Sequence, residues 1–292
     1  IAKFISNQRD KIVLITSLCN YISIPTYKVD ITKWKEMGIH INNLVTCDPN
    51  EKIVYAFNYK NNLEDNRCLV LASKNAMVKR VLVKSLGISK LTKISMCMNL
   101  DKDDTLVSCV LLDKYDENTK LGFVTRNGLG LIFNADQISI VSKNAAGVKS
   151  MSLKDNDEVV AVFNASNDND YVLIAAIQGM KRIKMDAFQI GNRANVGRHI
   201  ITTIKSNPIK LINAYEVNNQ KIINGLDADK VWNVFTPSEI PIGDETTKVS
   251  SIKNKKWSDV SILLNENASE QTIEQTEIKQ NEQLSLFGNE KK

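Results

Sequence analysis

A strand, a tight turn and a returning strand recur along this chain at intervals of about 50 residues, and such a recurrence restricts it to a repeat-built fold. The unit is legible at Lys11–Pro25, Cys68–Val81, Leu121–Phe133 and Tyr171–Ile183, and a degenerate fifth copy begins at Lys221-Ile-Ile-Asn-Gly225. With Cys19, Ala76, Gly128, Gly179 and Asp229 taken as equivalent, the spacings are 57, 52, 51 and 50 residues. Asn127-Gly128 is the strongest turn signal and predicts a type I′ hairpin, which needs positive φ at both central residues. In the fifth copy Leu226-Asp-Ala-Asp229 stands where the others turn, which leaves ring closure open.

A second motif follows each hairpin. Lys143–Val160 is its clearest copy, with relatives at Arg193–Ile200 and Trp34–Ile41: a Gly-containing loop, a strand, a polar turn and another strand. The remaining apolar runs are short, rich in Val and Ile, and bounded by Asn, Asp, Gly or Ser, as at Lys52–Phe57, Thr105–Leu112, Glu158–Phe163 and Ile209–Tyr215. Four strands per repeat, about five times over, predict an all-β, propeller-like array whose blades must stack because one small sheet cannot bury both of its faces. The expected division is a propeller over 1–264, with repeats near 11–60, 67–113, 120–166, 170–216 and 220–264, and a tail over 265–292. That tail is rich in Glu, Gln and Asn and is expected to be disordered. Its final Leu284-Ser-Leu-Phe-Gly288 is a candidate docking peptide.

The net charge of +5 is unevenly spread. Six Glu against three Lys give the tail −3, so the body carries +8, a balance that suits a polyanionic partner. Five cysteines (Cys19, Cys47, Cys68, Cys97, Cys109) without a CxxC spacing read as reduced core thiols and point to the cytoplasm. With only His40 and His199, a zinc site is not expected. The acidic clusters Asp101/Asp103/Asp104 and Asp155/Asp157 lack the Gly and distal Glu of a calcium loop and read as polar turns. No apolar run reaches the ~18 residues of a membrane span. The opening residues have neither the form of a signal peptide nor a methionine, so the chain reads as a piece of a longer one. No nucleophile–base pair or P-loop is present, and neither a catalytic nor a metal site is expected.

The paired motifs, a strand–turn–Lys-Arg strand followed by a Gly-Val-Lys-Ser-Met-like strand, resemble the β-pinwheel repeats of the C-terminal domains of bacterial type IIA topoisomerase A subunits. The likeness runs over roughly residues 5–255. Lys33-Trp-Lys-Glu-Met-Gly38 is similar to a linker of topoisomerase IV A subunits from Gram-positive bacteria and their wall-less relatives. The glutamine–arginine–arginine–glycine-rich box of gyrase is not found, so the likeness leans toward topoisomerase IV. By this resemblance Lys11 opens the second blade. It implies a monomeric, non-catalytic domain that binds and bends duplex DNA of any sequence for decatenation and relaxation. The strand-cleaving tyrosine would lie upstream. The protein partners implied are the rest of the A subunit, plus an ATPase B subunit, in an A2B2 heterotetramer. ATP and magnesium would be bound elsewhere in the holoenzyme, with no cofactor here, no membrane contact and a nucleoid location.

Binding a duplex without reading its sequence requires Lys and Arg placed against phosphates. The candidates recur with the motifs: Lys79-Arg80 and Lys181-Arg182 after hairpin turns, Lys84 and Lys184 beyond them, and Arg126 within a turn. Around the second motif lie Lys35, Lys143, Lys149, Lys154, Arg193, Arg198 and Lys205. Trp34, Trp232 and Trp257 are expected to pack blades or anchor loops, since no aromatic stripe interleaves the cations as stacking on single strands requires. Alternatives are the corresponding gyrase domain, a propeller scaffold for proteins, with an apolar patch on one face, and a repeat-built enzyme, with acids or histidines converging in a central channel.

Overall fold

The computed structural model describes residues 4, 6–32, 38–45, 47–48, 50–60, 65–88, 93–154, 156–167, 170–203 and 206–264. Trp34, Lys35, Asp155, Lys205 and the 265–292 tail lie outside them. Among the described residues there are only strands, turns and short 3-10 turns, and no helix is long and apolar enough to cross a membrane.

Five antiparallel triplets follow one another. Strands β1 (Lys11–Thr16), β2 (Asn20–Pro25) and β3 (Ile53–Tyr59) make the first, and β4 (Cys68–Ser73) and β5 (Met77–Leu82) open the second. The chain then returns to the first sheet as β6 (Ile94–Met96) before completing the second with β7 (Leu106–Leu112). The third hairpin, β8 (Lys120–Thr125) and β9 (Leu129–Asn134), is followed by β10 (Val148–Lys149), which pairs back onto β5, and by β11 (Val159–Asn164), which pairs with β8. The fourth hairpin, β12 (Tyr171–Ala176) and β13 (Gly179–Lys184), precedes β14 (Gln189–Ile190) and β15 (Arg198–His199), both on β9, and then β16 (Leu211–Val217) on β12. Last come β17 (Lys221–Asp227), β18 (Trp232–Phe235) and β19 (Trp257–Leu264), while bridges Met180↔Ser250 and Arg182↔Ile242 attach the loop between β18 and β19 to the fourth sheet. The result is a five-bladed β-pinwheel, the all-β class expected.

One feature departs from four strands per repeat. The outer strand of each of the first three sheets, and the bridged segment of the fourth, comes from the stretch between the next blade's hairpin and its third strand. The blades are therefore threaded through one another. No local pattern announces this, because the outer strands are only two or three residues long.

Hairpin turns repeat in atomic detail. Thr16, Ser73 and Thr125 each accept on their carbonyl from the residue three on, at 3.0, 3.2 and 3.0 Å, and on their hydroxyl from the residue four on, at 3.2, 3.0 and 3.1 Å. In the fifth hairpin Asp227 does both, with its carboxylate in the hydroxyl's place. Cys19, Ala76, Gly128 and Lys230 take the left-handed position (φ 58°, 64°, 85° and 63°). The third turn is thus a three-residue loop in which only Gly128 has positive φ, and not the type I′ turn its Asn-Gly pair suggests. The fifth turn's counterpart of Gly128 is Lys230, one residue beyond Asp229. The acidic turns brace these hairpins: Glu51 accepts from Thr16 and Asn20, Asp104 from Ser73 and the Asn75 amide, and Asp157 from the Asn127 amide.

The core lies between blades. Val13, Ile15 and Phe57 of the first pack on Leu69, Leu71 and Val81 of the second. Val70 and Val78 meet Phe123 and Phe133, whose rings stack with centroids 5.1 Å apart, and Leu173 and Ala175 meet Phe235 and Trp257 at the other end. Trp257, 1% exposed, packs blades as expected, whereas Trp232 is 54% exposed. Close backbone approach at the exchanged strands sets a local limit: a Cβ on Gly179 would stand 2.0 Å from the Ser250 carbonyl oxygen. Gly179→Ala should therefore cost about 1–3 kcal/mol, read as a lowered urea midpoint with an unchanged m-value.

Candidate nucleic-acid interface

The Lys-Arg pairs that looked most like phosphate ligands are inside the protein. Lys79 is 1% exposed, and its Nζ donates to the carbonyls of Cys97 (2.9 Å), Lys143 (2.8 Å) and Ala145 (3.0 Å). Lys181, also 1% exposed, donates to the carbonyls of Asp244 (2.6 Å) and Thr247 (2.9 Å). Arg80 Nε reaches the Ile138 carbonyl at 2.6 Å, and Arg182 Nε reaches that of Ile240 at 2.8 Å. Burial draws both lysines down to about 8, so they still carry their protons at neutral pH. These side chains recur in the second and fourth blades because they tie β5 and β13 to the incoming loop of the following blade. Lys79, Arg80 and Lys181 are sealed from any phosphate, and Arg182 is half-buried over the Tyr171 ring. Two others are committed within the protein: Arg126 pairs with Glu158, which also holds Lys74 at 3.2 Å, and Lys143 Nζ donates to the Leu86 carbonyl at 3.0 Å.

The exchanged outer segments bring other cations together. The first three are hydrogen-bonded to a hairpin's left-handed residue, Cys97 N to the Cys19 carbonyl, Ser150 N to that of Ala76 and Ile200 N to that of Gly128, at 2.8, 2.7 and 2.9 Å, and in the fourth Ser250 exchanges bonds with Met180. Successive segments also bond to each other, Asn99 N to the Ala145 carbonyl, Ala194 N to that of Ser150, and Thr202 N to that of Thr247. They form one continuous band at the outer edge of the sheets, through residues 93–99, 145–152, 194–202 and 247–250. An exposed cation sits on every segment: Lys93, Lys149, Arg198 and Lys248. Arg193 joins them, its guanidinium on the Lys149 carbonyl at 2.7 Å, while Arg198 is braced by the carbonyls of Ala187 and Asp186. Lys84, Lys154 and Lys184 are exposed outside this band.

Sequence reading passed over Lys93 and Lys248. The reason is that their positions do not recur: Met96, Lys149, His199 and Ser250 pair with equivalent hairpin residues, so each cation stands at a different point of its segment. Of the two histidines, His40 caps a short turn by accepting from the Asn42 amide, and His199 is exposed on β15 beside Arg198.

The inner strands β3, β7, β11, β16 and β19 surround a central cavity of about 210 Å³, lined in part by Tyr55, Cys109, Asn213, Tyr215, Glu216 and Lys221. Burial raises the Glu216 carboxyl to about 7, and the Tyr215 hydroxyl is spent on the Val260 carbonyl at 2.8 Å. Among the described residues no cluster of three or more His, Cys, Asp or Glu could hold a metal. Cys109 lines the same cavity, and burial pushes its thiol well above the usual range.

The model of the "DNA gyrase C-terminal domain, beta-propeller" family matches residues 10–59, 69–113 and 123–166. The A subunit of DNA topoisomerase 4 from Staphylococcus aureus (strain MSSA476) is 28% identical over 215 residues, which is 73% of this chain. The chain spans only 26% of that relative's length. A crystal structure of the C-terminal domain of DNA topoisomerase IV superposes with a TM-score of 0.80 at 27% identity, covering 89% of this chain and 81% of that one. The C-terminal domain of DNA gyrase A has the same fold, with a TM-score of 0.69 at 18% identity over 88% and 83% of the two chains.

Proposed function

Since the chain belongs to the family of C-terminal β-propeller domains of type IIA topoisomerase A subunits, we propose that it holds and bends duplex DNA along its outer band for a topoisomerase IV. The observation that carries this is the recurrence of one exposed cation per exchanged segment, Lys93, Lys149, Arg198 and Lys248, on a band that is continuous from blade to blade. Phosphates line a duplex on both strands, so a row of cations, one from each segment, meets them without reading bases. A row that follows a ring is curved, and bending a short site by 40–90° costs roughly 1–6 kcal/mol, which several phosphate contacts offset. In this reading the chain supplies no chemistry. Cleavage, ATP and magnesium belong to the rest of the A subunit or to its B partner, which together would carry out decatenation and relaxation. Topoisomerase IV is favoured over gyrase by the higher identity and TM-score of its solved domain and by Lys33-Trp-Lys-Glu-Met-Gly38.

Titration of a labelled 40-base-pair duplex at several salt concentrations tests this directly. Affinity should be sequence-independent and fall with salt at a log–log slope of about −0.9 per phosphate engaged. Binding too weak to measure at low salt, or indifferent to salt, would remove the proposal.

A further inference from the structure

An isoleucine recurs on the outer edges of the second, third and fourth sheets, and each time it faces solvent. Ile140 bridges to Arg80, Ile190 pairs with Ile132 and Ile242 bridges to Arg182, all in parallel, and these partners are the fourth residues of β5, β9 and β13. The next amide after each isoleucine donates to the partner's carbonyl, at 3.0, 3.0 and 2.8 Å. Two positions earlier Ile138, Phe188 and Ile240 are buried, whereas Ile140, Ile190 and Ile242 are 37%, 68% and 56% exposed. A single exposed apolar side chain is ordinary, and the amide bonds do not call for isoleucine. Three at one register on three sheets are a repeated surface feature. Standing one to a blade, they form a spaced series rather than the contiguous patch that a folded partner covers.

The same edges carry the cation band. On β9, Ile190 stands opposite Ile132 and Arg198 opposite Gly130; on β5, Ile140 stands opposite Arg80 and Lys149 opposite Met77. At about 3.3 Å per residue, isoleucine and cation are about 7–10 Å apart along the strand. On the fourth edge Lys248 follows Ile242 by six residues. We propose that the three isoleucines press on the deoxyribose of the duplex that the band holds, and so select DNA over RNA. The inference rests on the DNA-binding reading and adds to it the part of the nucleic acid that these side chains meet. Deoxyribose rings wall the minor groove, which is about 6 Å wide, so an apolar side chain that close to a phosphate-holding cation falls on sugar. A duplex wrapped on a convex edge turns its minor groove inward once in each helical turn, toward these side chains. The C2′ of deoxyribose is a methylene that isoleucine can cover. A ribose sets a hydroxyl there, and isoleucine would bury it without a hydrogen bond.

Titration of DNA and RNA duplexes of one sequence, at several salt concentrations, is the test, run on the chain and on a variant with Ile140→Thr, Ile190→Thr and Ile242→Thr. Circular dichroism confirms the fold, and Ile190→Thr alone, at the most exposed of the three, serves as the milder variant. The unaltered chain should prefer DNA. In the triple variant DNA affinity should fall about tenfold at every salt concentration with the salt slope unchanged, because apolar contact is lost and the cations stay. RNA affinity should change by less than about twofold, so the preference narrows. Ile190→Thr alone should lose about twofold on DNA, an even share on a logarithmic scale. Unchanged DNA affinity in the triple variant would overturn the inference, as would DNA and RNA affinities falling together. So would self-association in sedimentation that only the unaltered chain shows, since the isoleucines would then lie between two copies. Each of these leaves the DNA-binding reading standing, because that is judged by the salt dependence of the unaltered chain; should that be missing, both fall.

Discussion

Reversing the charge of Lys79 (Lys79→Glu) should destabilise the fold by about 3–5 kcal/mol, because it places an anion among the three carbonyls of Cys97, Lys143 and Ala145. For a chain of this length that corresponds to a melting point lowered by roughly 10 °C. Lys79→Met, which keeps the stem and removes the donors, should cost less, about 1–3 kcal/mol, through the acceptors left unfilled. Lys181→Glu should behave like its counterpart, since Nζ there meets the carbonyls of Asp244 and Thr247. Calorimetry of the four proteins decides. If Lys79→Glu melts with the unaltered protein and only DNA affinity falls, the lysine belongs to the surface after all and the cradle is wrong.

The converse applies to the band. Replacing Lys93, Lys149, Arg198 and Lys248 together by Glu should lower the melting point by only a few degrees, because each is exposed and Arg198 alone gives up hydrogen bonds, to the Ala187 and Asp186 carbonyls. Duplex affinity near 0.1 M salt should fall about a hundredfold or more, and the salt slope should shrink by about 3–4, one contact of ~0.9 for each cation. Steep loss with an unchanged slope would point to distortion of the band. No loss would move the DNA elsewhere, Lys84, Lys154 and Lys184 being the exposed alternatives.

Why the two sets of cations look alike in the sequence has a physical answer. The hairpins are local: alternating apolar residues, a Ser or Thr at the strand end and a Gly or small residue three further on are visible within fifteen positions. The blade count and the all-β class follow from them. The exchange of outer strands is not local, so a Lys in the second strand looks solvated when a loop more than sixty residues away covers it. The sequence does hold a hint. Lys79-Arg80 lies between Val78 and Val81, and the third blade has Leu131-Ile132 at the same place, a pattern of strands covered on both faces. A cation at a position otherwise reserved for Leu and Ile is more economically read as buried and bonded. The degenerate fifth hairpin is misplaced by one residue for a similar reason, since an Asp carboxylate can accept the bond that a Ser or Thr hydroxyl accepts elsewhere.

The threading of neighbouring blades has a consequence for biogenesis. A sheet whose last strand lies beyond the next hairpin cannot be finished when its own three strands leave the ribosome. It must wait for the successor's hairpin and the segment after it. The growing chain would then carry one incomplete sheet at its leading end, advancing blade by blade, while everything behind it is already fastened.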